Sequence, residues 1–189
     1  MSQILTSPPT VEPVTLAEAK THMRVTHSDD DTYISTLINS ACSTVEQFYG
    51  IALIQQSWSV FHDTWPEQGV FNFPLAPIMS IADLLIYGED DVAATIDHAH
   101  YYLDVAARPC RLVLRNGRTG PTPGRRANGI EIKLVAGFGA AASAVPNQVK
   151  QALLIIIADW YASRGDVDAG TLPLSAQSLL APYRTVRLT

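Results

Sequence analysis

The sequence predicts an α+β protein with a helical core, an inserted, mostly antiparallel β region and an extended C-terminal tail. Helical periodicity runs up to Gly50, a period of about two with proline and glycine turns follows, and helical periodicity returns after Pro146. The 189 residues are 47% hydrophobic and 16% charged, which is typical of a folded chain and excludes global disorder. We therefore expect one domain over residues 1–189, with helices in 1–50 and the β region in 51–140.

Two helices are predicted in the first fifty residues. The first dozen residues, with several prolines, are interpreted as an extended arm. Thr15 and Glu18 then have the spacing of a capping box, which predicts a short first helix. A second helix opens at Ser28 or Asp29 and ends at Gly50. Its apolar face is predicted from side chains at helical spacing: Ile34, Leu37, Ile38, Ala41, Val45 and Phe48.

The β region is predicted to hold five or six short strands in a mostly antiparallel sheet or a small barrel. The segments that alternate by two, or are rich in β-forming residues, are Gln55–Phe61, Val70–Phe73, Ile81–Tyr87, Tyr101–Val105, Arg111–Arg115 and Gly129–Phe138. A long apolar helix is predicted over residues 145–165, because Pro146 suits a first helical turn. Residues 166–189 are interpreted as a linker followed by the tail.

Charge is unevenly distributed along the chain. Residues 1–107 carry 2 basic and 14 acidic side chains, a net of −12, whereas residues 108–189 carry 11 basic and 4 acidic ones, a net of +7. Folding could mix the two sets on one surface. If they stay apart, an acidic patch and a basic patch favour head-to-tail self-association or a charged partner.

No catalytic or metal-binding constellation stands out. His98 and His100, beside Asp97, are the nearest approach to a metal site, and on a strand both imidazoles would share one face, but no third ligand is identifiable. The two cysteines, Cys42 and Cys110, match no metal or redox spacing and are predicted to be buried free thiols. We therefore expect no cofactor, no metal and no enzymatic activity.

The sequence also lacks the signals of membrane insertion and secretion. No apolar run approaches the roughly 20 residues of a membrane span, and the start of the chain lacks the pattern of a secretion signal. We therefore expect no membrane partner and folding in the cytoplasm.

Two segments carry features of partner surfaces. The segment 115–126 contains four arginines and no acid, and as a mobile arm it would suit a phosphate backbone or an acidic protein surface; a solvated loop is the alternative. Those arginines are Arg115, Arg118, Arg125 and Arg126. The C-terminal tail mixes apolar and cationic side chains that are typical of interfaces, or packs back on the sheet of its own chain. Its candidate contact residues are Leu179, Leu180, Tyr183, Arg184, Arg187 and Leu188.

The order of these features resembles a known family over nearly the whole chain. The residues that carry the resemblance are Thr15–Lys20 with His22-Met23-Arg24, Asp30–Ile34 leading a helix that ends Phe48-Tyr49-Gly50, the strand with Trp58, Phe73–Ile78, Ala136–Gly139 before Val145-Pro146, and Leu180–Arg184 with Arg187-Leu188. Together they are similar to the head–tail connector (adaptor, or head-completion) proteins of long-tailed double-stranded DNA phages, prophages and gene-transfer agents.

The resemblance implies a structural virion protein assembled in the host cytoplasm. Its implied form is a homo-oligomeric ring, usually of twelve subunits, between the portal at the capsid vertex and the next neck, stopper or tail-completion protein. The ring would extend the channel through which double-stranded DNA passes, and the C-terminal candidates named above would dock on the portal. The arginine segment becomes a candidate contact with DNA in the channel or with a partner.

Two other functions remain open at this stage. One is a DNA-binding, packaging-associated module that uses the arginine segment 115–126. The other is a small enzyme with a site assembled from Asp97, His98 and His100.

Overall fold

The computed structural model describes residues 2–115, 120–164 and 172–184. Their helices are α1 (Leu16–Met23), α2 (Asp31–Tyr49), α3 (Asn147–Ser163) and α4 (Leu174–Leu180). Their strands are β1 (Ser2–Ser7), β2 (Gln56–His62), β3 (Val70–Asn72), β4 (Ile78–Tyr87), β5 (Ala93–Thr95), β6 (Tyr101–Asp104), β7 (Arg111–Leu114) and β8 (Ile130–Ala136). The predicted α+β class is confirmed.

The chain divides into two compact units. Among the described residues, the β unit comprises 2–8, 55–115 and 120–137, and the helical unit comprises 9–54, 138–164 and 172–184. The β region is therefore an insertion between helices, as the sequence predicts, but the N-terminal arm also belongs to it. The first strand joins the sheet even though it precedes both N-terminal helices.

The helices begin and end where their capping residues dictate. The Thr15 hydroxyl accepts a hydrogen bond from the Glu18 amide at 3.2 Å, and the Glu18 carboxylate accepts one from the Thr15 amide at 2.7 Å. The hydrogen bonds that the Thr15 amide and the Thr15 hydroxyl donate to the Glu18 carboxylate hold the pKa of Glu18 below its ordinary value. Gly50 ends α2 with φ of 64°, a left-handed conformation that glycine adopts without steric cost.

One hydrophobic core holds the helical unit together. It is built from the apolar faces of α1, α2 and α3, from residues just after α2, and from α4. Its fully enclosed side chains include Ala19, Ile34, Ala41, Val45, Val149, Ala152, Leu153, Ile156, Ile157, Ala176 and Leu180, each 0% exposed. Burial of this apolar surface is the main force that stabilises the unit.

The β unit contains two antiparallel sheets. The larger has the strand order β1-β2-β8-β4-β5 and the smaller has the order β3-β7-β6. In the larger sheet Val60, Ile132 and Leu84 lie side by side on adjacent strands, and all three are buried. Because side chains alternate between the two faces of a sheet, Glu131, which precedes Ile132 in β8, lies on the opposite face.

The sequence prediction omits two strands of the larger sheet, both at its edges. All residues of β1 and of β5 are exposed, so neither strand shows the alternation of a half-buried strand. β5 is also formed by two alanines and a threonine, and alanine is a weak strand former. Pairing with β2 and β4 is what makes these segments strands.

The C-terminal tail also differs from its prediction. Residues 174–180 form α4 and residues 181–183 form a 3₁₀ turn, so the tail is helical rather than extended as far as it is described. The physical reason is apolar burial: Ala176 and Leu180 lie one turn apart and both enter the core of the helical unit. Residues 185–189 lie outside the described part of the chain.

Candidate partner surfaces

The residues predicted to form the C-terminal contact surface have different environments. Leu180 is fully enclosed in the core of the helical unit, and Leu179 packs against that core while half-buried. A side chain without exposed surface cannot contact a partner unless α4 detaches. Leu180 is therefore a structural residue in this conformation.

Tyr183 and Arg184 follow α4 at the surface of the helical unit. The Tyr183 ring lies edge-on to Phe138 with 5.8 Å between centroids, and its hydroxyl donates to Gln148 Oε1 at 3.4 Å. Tyr183 is half-buried and Arg184 is exposed. Arg187 and Leu188 lie outside the described residues. Of the described tail candidates, Arg184 is the most accessible to a partner.

The arginine segment is attached to the β unit along its described residues, 120–126, and does not form a mobile arm there. Trp65 Nε1 donates to the Pro121 carbonyl at 2.8 Å, and the Gly124 amide donates to the Tyr87 carbonyl at 2.8 Å. A Cβ on Gly124 would lie 2.1 Å from the Glu89 amide nitrogen. Only glycine lets the two backbones approach this closely.

Arg125 is engaged within its own unit. Its Nε donates to Asp91 Oδ1 at 2.5 Å, and its guanidinium lies 3.8 Å from the centre of the Tyr87 ring. Arg126 is exposed, and Arg115 is exposed with its guanidinium 5.5 Å from the Tyr102 ring. Arg118 lies outside the described residues. The structure therefore leaves Arg115 and Arg126 as the described arginines of this segment that are accessible to an anionic partner.

Folding brings part of the unevenly distributed charge of the sequence together. Basic residues from the second half of the chain pair with acids from the first half: Arg111–Asp104 at 2.9 Å, Arg125–Asp91 at 2.5 Å, Lys150–Glu18 at 3.7 Å and Arg164–Asp30 at 3.2 Å. Antiparallel packing places late segments beside early ones, so charges that are separate in sequence meet in space. These four pairs bring basic residues of the second half of the chain beside acids of the first half.

A buried polar cluster in the β unit was not predicted. Glu131 is only 6% exposed, and its two carboxylate oxygens accept hydrogen bonds from the Ser59 hydroxyl at 2.6 Å and the Tyr87 hydroxyl at 2.5 Å. The hydrogen bond to Glu131 raises the pKa of Tyr87, since it favours the protonated phenol. The sequence feature that could have indicated this cluster is a single acidic residue between two apolar ones in the strand segment Ile130-Glu131-Ile132.

A family comparison identifies the N-terminal half of the chain. The sequence model described as phage gp6-like head-tail connector protein matches residues 13–103. Residues 13–103 belong to the phage gp6-like head–tail connector family. The match spans the helices α1 and α2 and strands β2 to β5, together with most of β6. The description of the matched family is that of a phage head–tail connector protein.

Solved structures share the fold of this connector over its whole length. A chain of the neck of an empty GTA particle, computed with C6 symmetry, matches with a TM-score of 0.86 and 23% identity, covering 100% of this chain and 98% of that one. A chain from the virion of a native gene transfer agent (GTA) particle matches with a TM-score of 0.83 and 24% identity, covering 100% and 98%. A chain from the neck of a native GTA particle, computed with C12 symmetry, has a TM-score of 0.80 and 23% identity, covering 98% and 97%. No curated protein matches the sequence.

His98 and His100 do not lie on a strand. Residues 98–100 form a 3₁₀ turn, in which Asp97 accepts a hydrogen bond from the Ala99 amide at 2.7 Å and His98 Nδ1 is 2.7 Å from the Tyr101 hydroxyl. Within residues 2–115, 120–164 and 172–184, no cluster of three or more histidine, cysteine or acidic side chains has a metal-binding arrangement. The head–tail connector family is a structural one, and the lack of catalysis stays a prediction.

Two further expectations, on the cysteines and on membrane-spanning helices, can be compared with the described residues. Cys42 and Cys110 are buried and unbridged, as predicted, and burial raises the pKa of the Cys110 thiol to about 11. No helix in the described ranges has both the length and the apolar character needed to span a bilayer.

Proposed function

We propose that this connector forms a homo-oligomeric ring between the portal and the next neck or tail-completion protein of a phage-like particle. The ring extends the DNA channel and completes the head for tail attachment. The observation that carries the proposal is the whole-length fold match to a chain of a GTA particle neck, with a TM-score of 0.86. The family match over residues 13–103 supports it independently, because it rests on sequence.

Ring formation with about twelve subunits is supported by the symmetry of the similar structures. Necks of GTA particles that contain chains of this fold were computed with C6 and with C12 symmetry. A closed ring requires two different surfaces on each subunit, one for each neighbour. The same arrangement would let double-stranded DNA pass through the central channel, where Arg115, Arg118 and Arg126 are the candidate contacts.

Portal attachment is proposed for the exposed end of the C-terminal segment. Arg184 is exposed at the end of the helical turn after α4, and Tyr183 beside it is half-buried. Arg187 and Leu188 complete the proposed contact. Leu179 and Leu180 support this surface from within, because they pack in the core of the helical unit.

Imaging of the connector reconstituted with portal and neck proteins tests the proposal. We expect a closed ring at the portal, with a channel wide enough for a DNA duplex. A chain that binds DNA but never joins the portal in such preparations would overturn the proposal and favour a packaging-associated DNA-binding module.

A truncation tests the C-terminal contact separately. We predict that deletion of residues 185–189 preserves the fold and abolishes portal attachment in a pull-down with purified portal. The cut must follow Arg184, because α4 contributes Leu180 to the core and its loss would unfold the helical unit. The matched control is Leu174→Ala, which changes an 80% exposed residue of α4 and should leave attachment intact. Normal attachment of the truncated chain would show that residues 185–189 are not needed for portal binding.

A further inference from the structure

The larger sheet of the β unit ends at β1. This six-residue strand pairs with β2 on one side, and no described strand pairs with its other side. Every residue of β1 is exposed, including Ile4 at 57% and Leu5 at 40%. The outer side of β1 therefore offers backbone donors and acceptors together with apolar side chains on both faces.

β1 lacks the features that usually protect an edge strand. Proteins prevent unwanted pairing with lysine, with proline, with inward-pointing charges or with very short edge strands. Residues 2–7 contain no charged residue and no proline, and Pro8 comes only after the strand has ended. An unprotected edge of this length is suited to bind another strand.

The opposite edge of the same sheet is β5, which is also uncharged but only three residues long, so a neighbouring strand could pair with it over about three residues. Ala93, Ala94 and Thr95 are all exposed, and β5 pairs with β4 on its inner side only, among the described strands. Its side chains are small, so they present little steric obstacle to an approaching strand. Among the described strands, the sheet therefore has one edge with large apolar side chains and another with small ones that pair on their inner side only.

We propose that β1 of one copy pairs with β5 of a second copy, so that neighbouring subunits share one continuous sheet. The inference rests on the proposed ring and names the surfaces that build it. Two different edges at opposite ends of one sheet are what a head-to-tail contact requires, since each subunit then offers one surface to each neighbour. Main-chain hydrogen bonds would supply the affinity, and the apolar side chains of Ile4 and Leu5 would gain burial against the neighbour.

Within one chain the two edges are too far apart to be cross-linked. Four inter-strand steps separate β1 from β5 in the order β1-β2-β8-β4-β5. At about 4.8 Å per step the distance is roughly 19 Å, whereas a disulfide needs Cα atoms within about 7 Å. A disulfide between the two edges therefore forms only between copies.

The test introduces one cysteine on each edge. The variant Ile4→Cys with Ala94→Cys is assembled with portal and oxidised, and its covalent products are separated on a non-reducing gel. We expect a ladder of covalent oligomers that extends to the full ring, since each subunit then carries one bond to each neighbour. The native Cys42 and Cys110 are buried, so the unmodified chain should give no ladder under the same conditions.

The single variants and a second pair give the remaining outcomes. The single variants Ile4→Cys and Ala94→Cys should each stay monomeric on the gel. A covalent dimer of the Ile4→Cys variant would mean that two β1 strands pair symmetrically, and this result would overturn the proposal. An intramolecular bond in Ile4→Cys with Val186→Cys would mean that the chain's own C-terminal segment takes the β1 edge, which also overturns it. If imaging shows a ring that gives no ladder, the edge pairing is wrong and the proposed function stands. If no ring forms with portal, the proposed function itself fails.

Discussion

The helical unit and the β unit of this connector are stabilised in different ways. The helical unit has one continuous apolar core, and the polar contacts at its helix ends lie at the surface. The β unit places a carboxylate, Glu131, in a nearly water-free position and satisfies it with two hydroxyl donors. The stability of the helical unit therefore depends mainly on how well the volumes and shapes of its apolar side chains fit together. The stability of the β unit also depends on a specific pattern of hydrogen bonds.

The largest expected effect is at the C-terminal helix of the helical unit. Leu180→Ala should lower the free energy of unfolding by about 2–5 kcal/mol, because it leaves a cavity in a close-packed core. Leu174→Ala in the same helix should change it by less than about 0.5 kcal/mol, since Leu174 is 80% exposed. Urea unfolding followed by far-ultraviolet circular dichroism measures both. Equal effects of the two substitutions would mean that α4 is not part of the core in solution.

The next effect concerns the buried carboxylate of the β unit. Glu131→Ala should lower the free energy of unfolding by about 2–3 kcal/mol, because the Ser59 and Tyr87 hydroxyls lose a charged acceptor in a buried site. Lys133→Ala, two residues along the same strand and exposed, should cost less than about 1 kcal/mol.

A double-mutant cycle separates the hydrogen bond to Tyr87 from the rest of this cost. Glu131→Ala combined with Tyr87→Phe should destabilise the protein by less than the sum of the two single changes. Strict additivity would contradict a direct interaction between the two side chains.

A smaller effect is expected at the arginine segment. Arg125→Ala removes the ion pair with Asp91 and the contact with the Tyr87 ring, which together contribute on the order of 1 kcal/mol at a partly exposed site. Hydrogen exchange of residues 120–128 should accelerate, whereas exchange in α2 and α3 should not change. Arg126→Ala is the matched control, and a comparable acceleration in that variant would show that Arg125 has no special role in attaching the segment.

The smallest effect is a pH dependence of the helical unit. Asp30 accepts hydrogen bonds from the Tyr161 hydroxyl at 2.5 Å and from Arg164 at 3.2 Å, and these partners hold its pKa below the ordinary value. A carboxyl group with a lowered pKa in the folded state contributes stability above the pKa of the unfolded chain, and the contribution is lost as the pH falls through the folded value. Asp30→Asn should therefore be less stable than the unmodified chain at neutral pH, and the gap should narrow below about pH 4. Thermal unfolding from pH 7 to pH 3 measures the gap, and a gap that is constant over this range would rule out the linkage.

Much of the fold could be read from local patterns in the sequence. The capping box at Thr15 and Glu18, the stop at Gly50 and the apolar face of α2 predict the N-terminal helices, because these signals act within one or two turns. The six predicted strands correspond to β2, β3, β4, β6, β7 and β8 with small shifts at their ends. The candidate surfaces were harder to predict, since exposure of a side chain depends on what packs against it.

Taken alone, the sequence determined the α+β class, the existence and approximate extents of α1, α2 and α3, most strands and the resemblance to head–tail connectors. Tertiary structure decided the rest, because the deciding contacts join residues far apart in the chain. It made strands of residues 2–7 and 93–95 through pairing, folded the tail into a helix by burying Leu180, and engaged Arg125 with Asp91 and Tyr87. It also paired some of the late cations with early acids, as in Arg125 with Asp91, Lys150 with Glu18 and Arg164 with Asp30.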